Sequence, residues 1–148
     1  MVEMTMAEQA EKLSKRRARL MPVLAVVYLG QQVSYFAALD ADRAIDHVKV
    51  GAWVVMSIAL LAALMSGGGL LRSREMRAVL NDETTRAHRA AAIEVGFVVT
   101  MVSAIALYVI ATATPVSARE AIHVIVSLGI VAALIRFGWL EQRAMRDA

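Results

Sequence analysis

Residues 90–111 read AAAIEVGFVVTMVSAIALYVIA, and Glu94 is the one charged side chain in this stretch. About 20 apolar residues in a helix, rising 1.5 Å each, cross roughly 30 Å of hydrocarbon. The apolar residues run continuously and do not alternate, and an open sheet could not satisfy its edge groups in lipid. The stretch therefore predicts a membrane-spanning helix.

Three further stretches of the chain have the same character. The four predicted spans cover approximately residues 20–39, 48–66, 90–111 and 121–140. The chain is 59% hydrophobic with a mean hydropathy of +0.58, above the ~45–50% apolar content of soluble domains. Short connections after spans 1 and 3 make neighbouring spans antiparallel. We predict an all-α fold, a single domain over 1–148 that forms a four-helix up-down transmembrane bundle.

Two shorter helices are predicted outside the spans. Residues 6–19 form an amphipathic helix whose basic end lies against acidic headgroups. Residues 70–80, between spans 2 and 3, form a helix at the cytoplasmic interface. The first span has no A-x-A cleavage site at its end, so it is predicted to be retained rather than removed as a signal peptide.

The distribution of Lys and Arg predicts the orientation. The amino-terminal segment has five, the long loop after span 2 has five, and the carboxy-terminal end has three. The other side has three, namely Arg43, Lys49 and Arg119. Basic residues remain in the cytoplasm, so both termini are predicted there. Because topology explains the basic residues, no nucleic-acid partner is predicted; the composition indicates a bacterial inner membrane.

Small residues at four-residue spacing suggest how the spans pack, since close approach of helices in lipid needs small side chains. The candidate rows are Gly30, Ser34 and Ala38; Ala59, Ala63 and Gly67; Ala92, Gly96, Thr100 and Ala104; and Gly129 and Ala133. Some rows could face another chain. The expected assembly is a homo-oligomer, with a dimer as the default, or a subunit of a larger membrane complex.

Polar residues within the spans are the candidate functional groups, because unpaired polar groups in lipid are costly. Glu94 and Arg136 lie about five residues from the cytoplasmic ends of spans 3 and 4, and could form an ion pair; alternatively, Glu94 couples proton movement to transport. Gln31 and Gln32, in the outer half of span 1, could bond to another helix or face a ligand.

Histidines allow one further interpretation. His47 and His123 begin spans 2 and 4 and could ligate a haem axially, although solvated interfacial histidines explain both positions without a cofactor. His88 is predicted to be solvated. The chain has no cysteine, which excludes disulfides and thiolate metal sites. No catalytic motif is present, so no cofactor, metal site or catalytic residue is predicted.

The segment LNDETTRAHR at residues 80–89, with Gly96 and Phe97 after it, resembles a segment of small four-span bacterial membrane proteins. The resemblance implies a membrane bundle and no particular activity. Four spans with a single intramembrane glutamate also resemble small multidrug transporters. Those proteins carry their carboxylate on the first span, however, and this chain carries it on the third.

Three functions follow from these patterns. The first is a non-catalytic accessory, assembly or regulatory subunit, or a homo-oligomer, which requires no special residue. The second is a small proton-coupled transporter or channel that uses Glu94. The third is a membrane redox protein with a haem between His47 and His123, or a quinone near Gln31 or Gln32.

Overall fold

The computed structural model describes residues 6–37, 43–67 and 83–147, and within them the chain is all-α, without a strand. The four helices are α1 (Met6–Ala37), α2 (Arg43–Met65), α3 (Glu83–Ala111) and α4 (Ala118–Asp147). The predicted all-α class is confirmed. The predicted interfacial helix at 70–80 lies outside the described residues. The predicted amphipathic helix at 6–19 and span 1 occur as one uninterrupted helix.

Three of the helices are long and apolar enough to cross a membrane, namely α2, α3 and α4. The surface agrees with a lipid environment, because large apolar side chains are exposed on every helix; examples are Val26 (67% exposed), Val55 (68%) and Ile105 (66%). The interior, in contrast, contains polar side chains, namely Arg17, Gln32, Ser57, Thr85, His123, Ser127 and Glu141. A soluble monomer rarely exposes so much contiguous apolar surface.

Small residues bring α3 and α4 together as the sequence predicts. A Cβ atom added to Gly96 would lie 2.9 Å from the Ala133 Cβ and 2.9 Å from the Gly129 carbonyl oxygen. Gly129 in turn leaves no room for a side chain beside Thr100. Any larger residue at Gly96 or Gly129 would therefore separate the two helices. The two predicted small-residue rows on spans 3 and 4 form one contact.

Helix α1 packs along α4 through a stripe of buried residues on each helix. The stripe on α1 consists of Ala18, Met21, Ala25, Tyr28 and Gln32, and that on α4 of His123, Ser127, Ile130, Leu134, Phe137 and Glu141. The spacing alternates between three and four residues, as in left-handed helix pairs. This seam leads from one end of the bundle to the other and positions a polar cluster at each end.

Pro22 lies within α1, where it cannot donate a backbone hydrogen bond to the carbonyl oxygen of Ala18. Gln142 of α4 supplies the missing donor, with its Nε2 atom 3.0 Å from that oxygen. Gly138 provides the space, because a Cβ there would lie 2.7 Å from the proline ring. The helix therefore continues without a break through the proline.

Candidate functional site

The first polar cluster lies where the carboxy-terminal half of α1 meets the start of α4; we call it the His123 cluster, comprising Tyr28, Gln32, Trp53, Ser57, His123 and Ser127. The Gln32 Nε2 donates to the Tyr28 carbonyl oxygen at 3.1 Å. The Gln32 Oε1 then faces His123 and accepts a hydrogen bond from its Nε2. Since an amide oxygen only accepts, this assignment puts a proton on the His123 Nε2. Both side chains are under 10% exposed.

Four hydrogen bonds in the same cluster form a closed relay. The Trp53 indole N–H donates to the Ser127 Oγ (3.2 Å), and that hydroxyl donates to the Tyr28 hydroxyl (3.4 Å). Tyr28 donates to the Ser57 Oγ (2.6 Å), which donates to the carbonyl oxygen of Trp53 (2.8 Å). Each hydroxyl donates once and accepts once, so the relay leaves none of these buried groups unsatisfied.

Beside this cluster lies a cavity of about 180 Å³. The stacked rings of Trp53 and His123 form part of its wall, with centroids 4.4 Å apart and planes 22° apart. Gln31, Gln32 and Lys49 also line it, together with two apolar residues of α2. The lining is almost entirely apolar. A partly open, apolar cavity with a few fixed polar groups is typical of a small-molecule site.

The second polar cluster, which we call the Glu141 cluster, lies at the other end of the seam. Glu141 forms a buried ion pair with Arg17 and accepts a hydrogen bond from the His88 Nδ1 at 3.0 Å. Arg17 also donates to the Thr85 Oγ1 (3.1 Å) and to the Gly67 carbonyl oxygen (2.9 Å). These contacts join all four helices at one end of the bundle. The predicted solvation of His88 is wrong, since its side chain is 17% exposed and bonded to Glu141.

Glu94 and Arg136 are not brought together. Glu94 lies two residues before Gly96, which faces α4. Two residues turn a helix by about 200°. Glu94 is therefore exposed on the opposite side of α3, and the described residues give it no ion pair. The guanidinium of Arg136 lies 4.9 Å from the centre of the Trp139 ring, and its Nε is buried without a hydrogen-bond partner among the described residues.

The candidate haem ligands differ in environment. His47 is exposed on α2, whereas His123 is 3% exposed and donates its Nε2 proton to Gln32. Axial ligation through that nitrogen would break this hydrogen bond. In the described part of the chain, no three His, Asp or Glu side chains are grouped so as to hold a metal ion.

The sequence analysis singled out Gln32 and His123 under separate hypotheses and did not predict that they meet. It missed Trp53 as a ring partner and the whole Glu141 cluster. Arg17 is one of several basic residues before span 1, and Glu141 follows the end of span 4. A usable signal was the alternating spacing. Continued backward from Tyr28, it reaches the Arg17–Ala18 turn, and continued forward from His123, it reaches Glu141.

No family model matches the chain, and no curated protein or solved structure matches it significantly. Similarity to known proteins therefore gives no indication of the function.

Proposed function

We propose that the chain is a small, non-catalytic protein of the bacterial inner membrane that crosses it four times and works as a homodimer. The observation that carries the proposal is Glu94, a carboxylate exposed on the apolar outward face of α3. In the dimer, Glu94 of each copy pairs with Arg136 of the other copy.

The four-span topology is supported by the length over which α1 follows α4. Arg17 contacts Glu141 at one end of the seam, and Gln32 contacts His123 at the other. These contacts are 15 residues apart on α1 and 18 apart on α4, or roughly 22 and 27 Å of helix. That distance is most of the ~30 Å hydrocarbon thickness, so α1 would accompany α4 across the membrane.

The orientation is supported by the basic residues. The Glu141 cluster gathers the amino-terminal part of α1, the start of α3 and the end of α4 at one end of the bundle. Most of the chain's Lys and Arg residues lie in or next to these segments. The positive-inside rule assigns that end, with both termini, to the cytoplasm.

The proposed depth of Glu94 in the membrane means that its carboxylate requires a partner. From Glu94 to Ala111, where α3 ends, is 17 residues, or about 26 Å. A helix that reaches the outer interface at Ala111 therefore keeps Glu94 inside the hydrocarbon. Phe97, Met101 and Ile105 continue the same exposed apolar face. A carboxylate in such a position is stabilised by a cation or a donor from a neighbouring chain.

Arg136 meets that need in a second copy. Gly96 packs on Gly129 and Ala133, so α3 and α4 are antiparallel, and residue 94 lies level with about residue 134 of α4. Arg136 is two residues away, or about 3 Å in depth. Two copies with the same orientation would hold the two charges at one level, and a two-fold axis would form the pair twice.

A charge exchange tests this proposal. The chain contains no cysteine, so Met101→Cys introduces a single thiol on the Glu94 face. We expect oxidation in native membranes to give a cross-linked dimer, because this face of α3 lies in the proposed interface. Glu94→Arg should abolish the cross-link by placing like charges together, and the double variant Glu94→Arg/Arg136→Glu should restore it. Val26→Cys, on the outward face of α1, is the matched control and should give no dimer.

Two results would overturn the homodimer. One is a cross-link that Glu94→Arg leaves unchanged, since Glu94 would then not lie in the interface. The other is a native mass spectrum with another polypeptide beside the 16.0 kDa chain, which would indicate an accessory subunit of a larger complex. A proton-driven flux in vesicles that Glu94→Gln abolishes, while the dimer remains, would instead identify a transporter.

A further inference from the structure

We propose that the cavity beside the His123 cluster binds a single aromatic ring that carries a hydroxyl group, such as a phenol or a hydroquinone. The cavity lies between α1, α2 and α4, away from Glu94 and from the proposed dimer face. The proposal depends on the volume of the cavity, on an unpartnered acceptor in its wall and on two fixed rings beside it.

The volume fits one ring. The cavity measures about 180 Å³, and an apolar protein cavity of about 150 Å³ is large enough to bind benzene. Water would fill this space poorly, because an internal water needs two to four polar partners and the lining is almost entirely apolar. An apolar ring would instead make van der Waals contacts with the walls.

Gln31 specifies a hydrogen-bond donor on that ring. Its Oε1 atom is buried and has no hydrogen-bond partner among the described residues, although the side chain lines the cavity. A buried acceptor without a donor is costly, and native structures nearly always satisfy such groups. A ligand hydroxyl would supply the donor once the Gln31 amide turns toward the cavity. A quinone, which has lost its hydroxyl protons, would not.

The walls are arranged before a ligand arrives. Trp53 is held by its hydrogen bond to Ser127, and His123 by its hydrogen bond to Gln32. Their stacked rings therefore have fixed planes, which reduces the entropy lost on binding. The side chain of Lys49 also lines the cavity. An aromatic ring packs favourably against other aromatic rings, either offset-stacked or edge to face. An aromatic ring is therefore favoured over an aliphatic one.

Two fluorinated probes test the proposal by ¹⁹F NMR on the full chain in nanodiscs. They are 4-fluorophenol and 4-fluorotoluene, which differ in the hydroxyl group, and empty nanodiscs measure partition into lipid. We expect saturable binding of 4-fluorophenol about tenfold tighter than that of 4-fluorotoluene, the difference that one hydrogen bond makes. Gln31→Met should lower the affinity for 4-fluorophenol to that for 4-fluorotoluene, and it should leave the affinity for 4-fluorotoluene unchanged.

Further variants keep the result interpretable. Ala52→Leu fills the cavity and should prevent binding of both probes, whereas Val33→Met, on the exposed side of α1, should change neither. Competition by hydroquinone would support the site and indicate a water-soluble ligand. Competition only by a quinol with a decyl chain would also support the site and indicate a lipid-soluble ligand. Equal affinity of the wild type for both probes, no binding beyond empty nanodiscs, or undiminished binding in Ala52→Leu would overturn the proposal.

Discussion

Glu141 contacts two basic side chains at one end of the bundle, Arg17 and His88. Its side chain is 5% exposed and pairs with Arg17, which is 8% exposed. Two charges removed from water lose several kcal/mol of hydration each, and only close pairing with further hydrogen bonds offsets this loss. The donors from His88 and the acceptors at Thr85 and Gly67 provide those bonds. The ion pair is therefore stable only when these further hydrogen bonds are also formed.

Removing one member should leave the other as an uncompensated buried charge. We expect Glu141→Gln to lower the free energy of unfolding by about 3–5 kcal/mol, measured by unfolding in mixed micelles with increasing SDS. Asp147→Asn is the control, because Asp147 and Arg143 form a pair at 3.7 Å with both side chains more than half exposed, and exposed pairs contribute little. Equal, small effects of the two variants would show that water reaches Glu141.

The sequence does not reveal this pair, and the reason is physical. The residues before span 1 include several basic side chains within one helical turn, and any of them could snorkel to headgroups. Which one turns inward depends on the face that α1 presents to α4, which is set by packing further along the helix. By contrast, Gln32 lies inside an apolar run, where a polar residue is conspicuous in the sequence.

At the scale of the helix, α1 depends on a neighbour to continue through Pro22. The Ala18 carbonyl oxygen loses its usual backbone donor at this proline and receives one from Gln142 instead. Proline is tolerated in membrane helices when neighbouring groups satisfy the freed carbonyl in this way. The stability of α1 is therefore coupled to a side chain on α4.

This coupling predicts a non-additive pair of substitutions. Gln142→Leu should destabilise the protein by about 1–3 kcal/mol, because it leaves the Ala18 oxygen buried without a donor. In a Pro22→Ala background the alanine N–H can donate to that oxygen, so Gln142→Leu should then cost little. A double-mutant cycle on unfolding in SDS measures the interaction energy. Additive effects would mean that water already satisfies the carbonyl in the wild type.

The small-residue rows show how far spacing alone predicts helix contacts. The rows on α3 and α4 meet at Gly96 and Gly129. The first row makes no such contact at Gly30, where an added Cβ would have nothing within 4 Å in the described part of the chain; this row stays open to another chain. Gly30 lies two residues from both Tyr28 and Gln32, so it is about 200° away from the buried stripe. Spacing identifies a possible face, but larger buried side chains decide which face is used.

At the scale of the whole molecule, apolar side chains are not confined to the interior as they are in a soluble bundle. Large apolar side chains cover much of the outside, and among the described residues seven buried polar or charged side chains lie beside an apolar core. The composition predicts this arrangement, since a chain with so much apolar content cannot bury all of it. The pairing of the internal polar groups could not be predicted, because it depends on the relative rotation and height of four helices.

The proposal of four membrane crossings is supported by the contacts of α1. Over its described residues, α1 is not among the helices that length and composition alone identify as spans, since its first part is charged and Gln31 and Gln32 interrupt its apolar part. Yet α1 contacts α4 at both ends of the seam, through Arg17 and Gln32. If α4 crosses the membrane, α1 has to cross with it, or these buried contacts would be lost.

Single cysteines in this cysteine-free chain test the crossing of α1. In spheroplasts, a membrane-impermeant maleimide should label His47→Cys, because His47 is exposed near the start of α2 and the proposed topology assigns it to the outer side. Lys12→Cys should react only after permeabilisation, since the proposed topology assigns it to the cytoplasmic side. Thr114→Cys, in the turn between α3 and α4, is the control for the outer side. Labelling of Lys12→Cys and His47→Cys from the same side would mean that α1 does not cross, and the contacts of Arg17 with Glu141 and of Gln32 with His123 could not then both exist in the membrane.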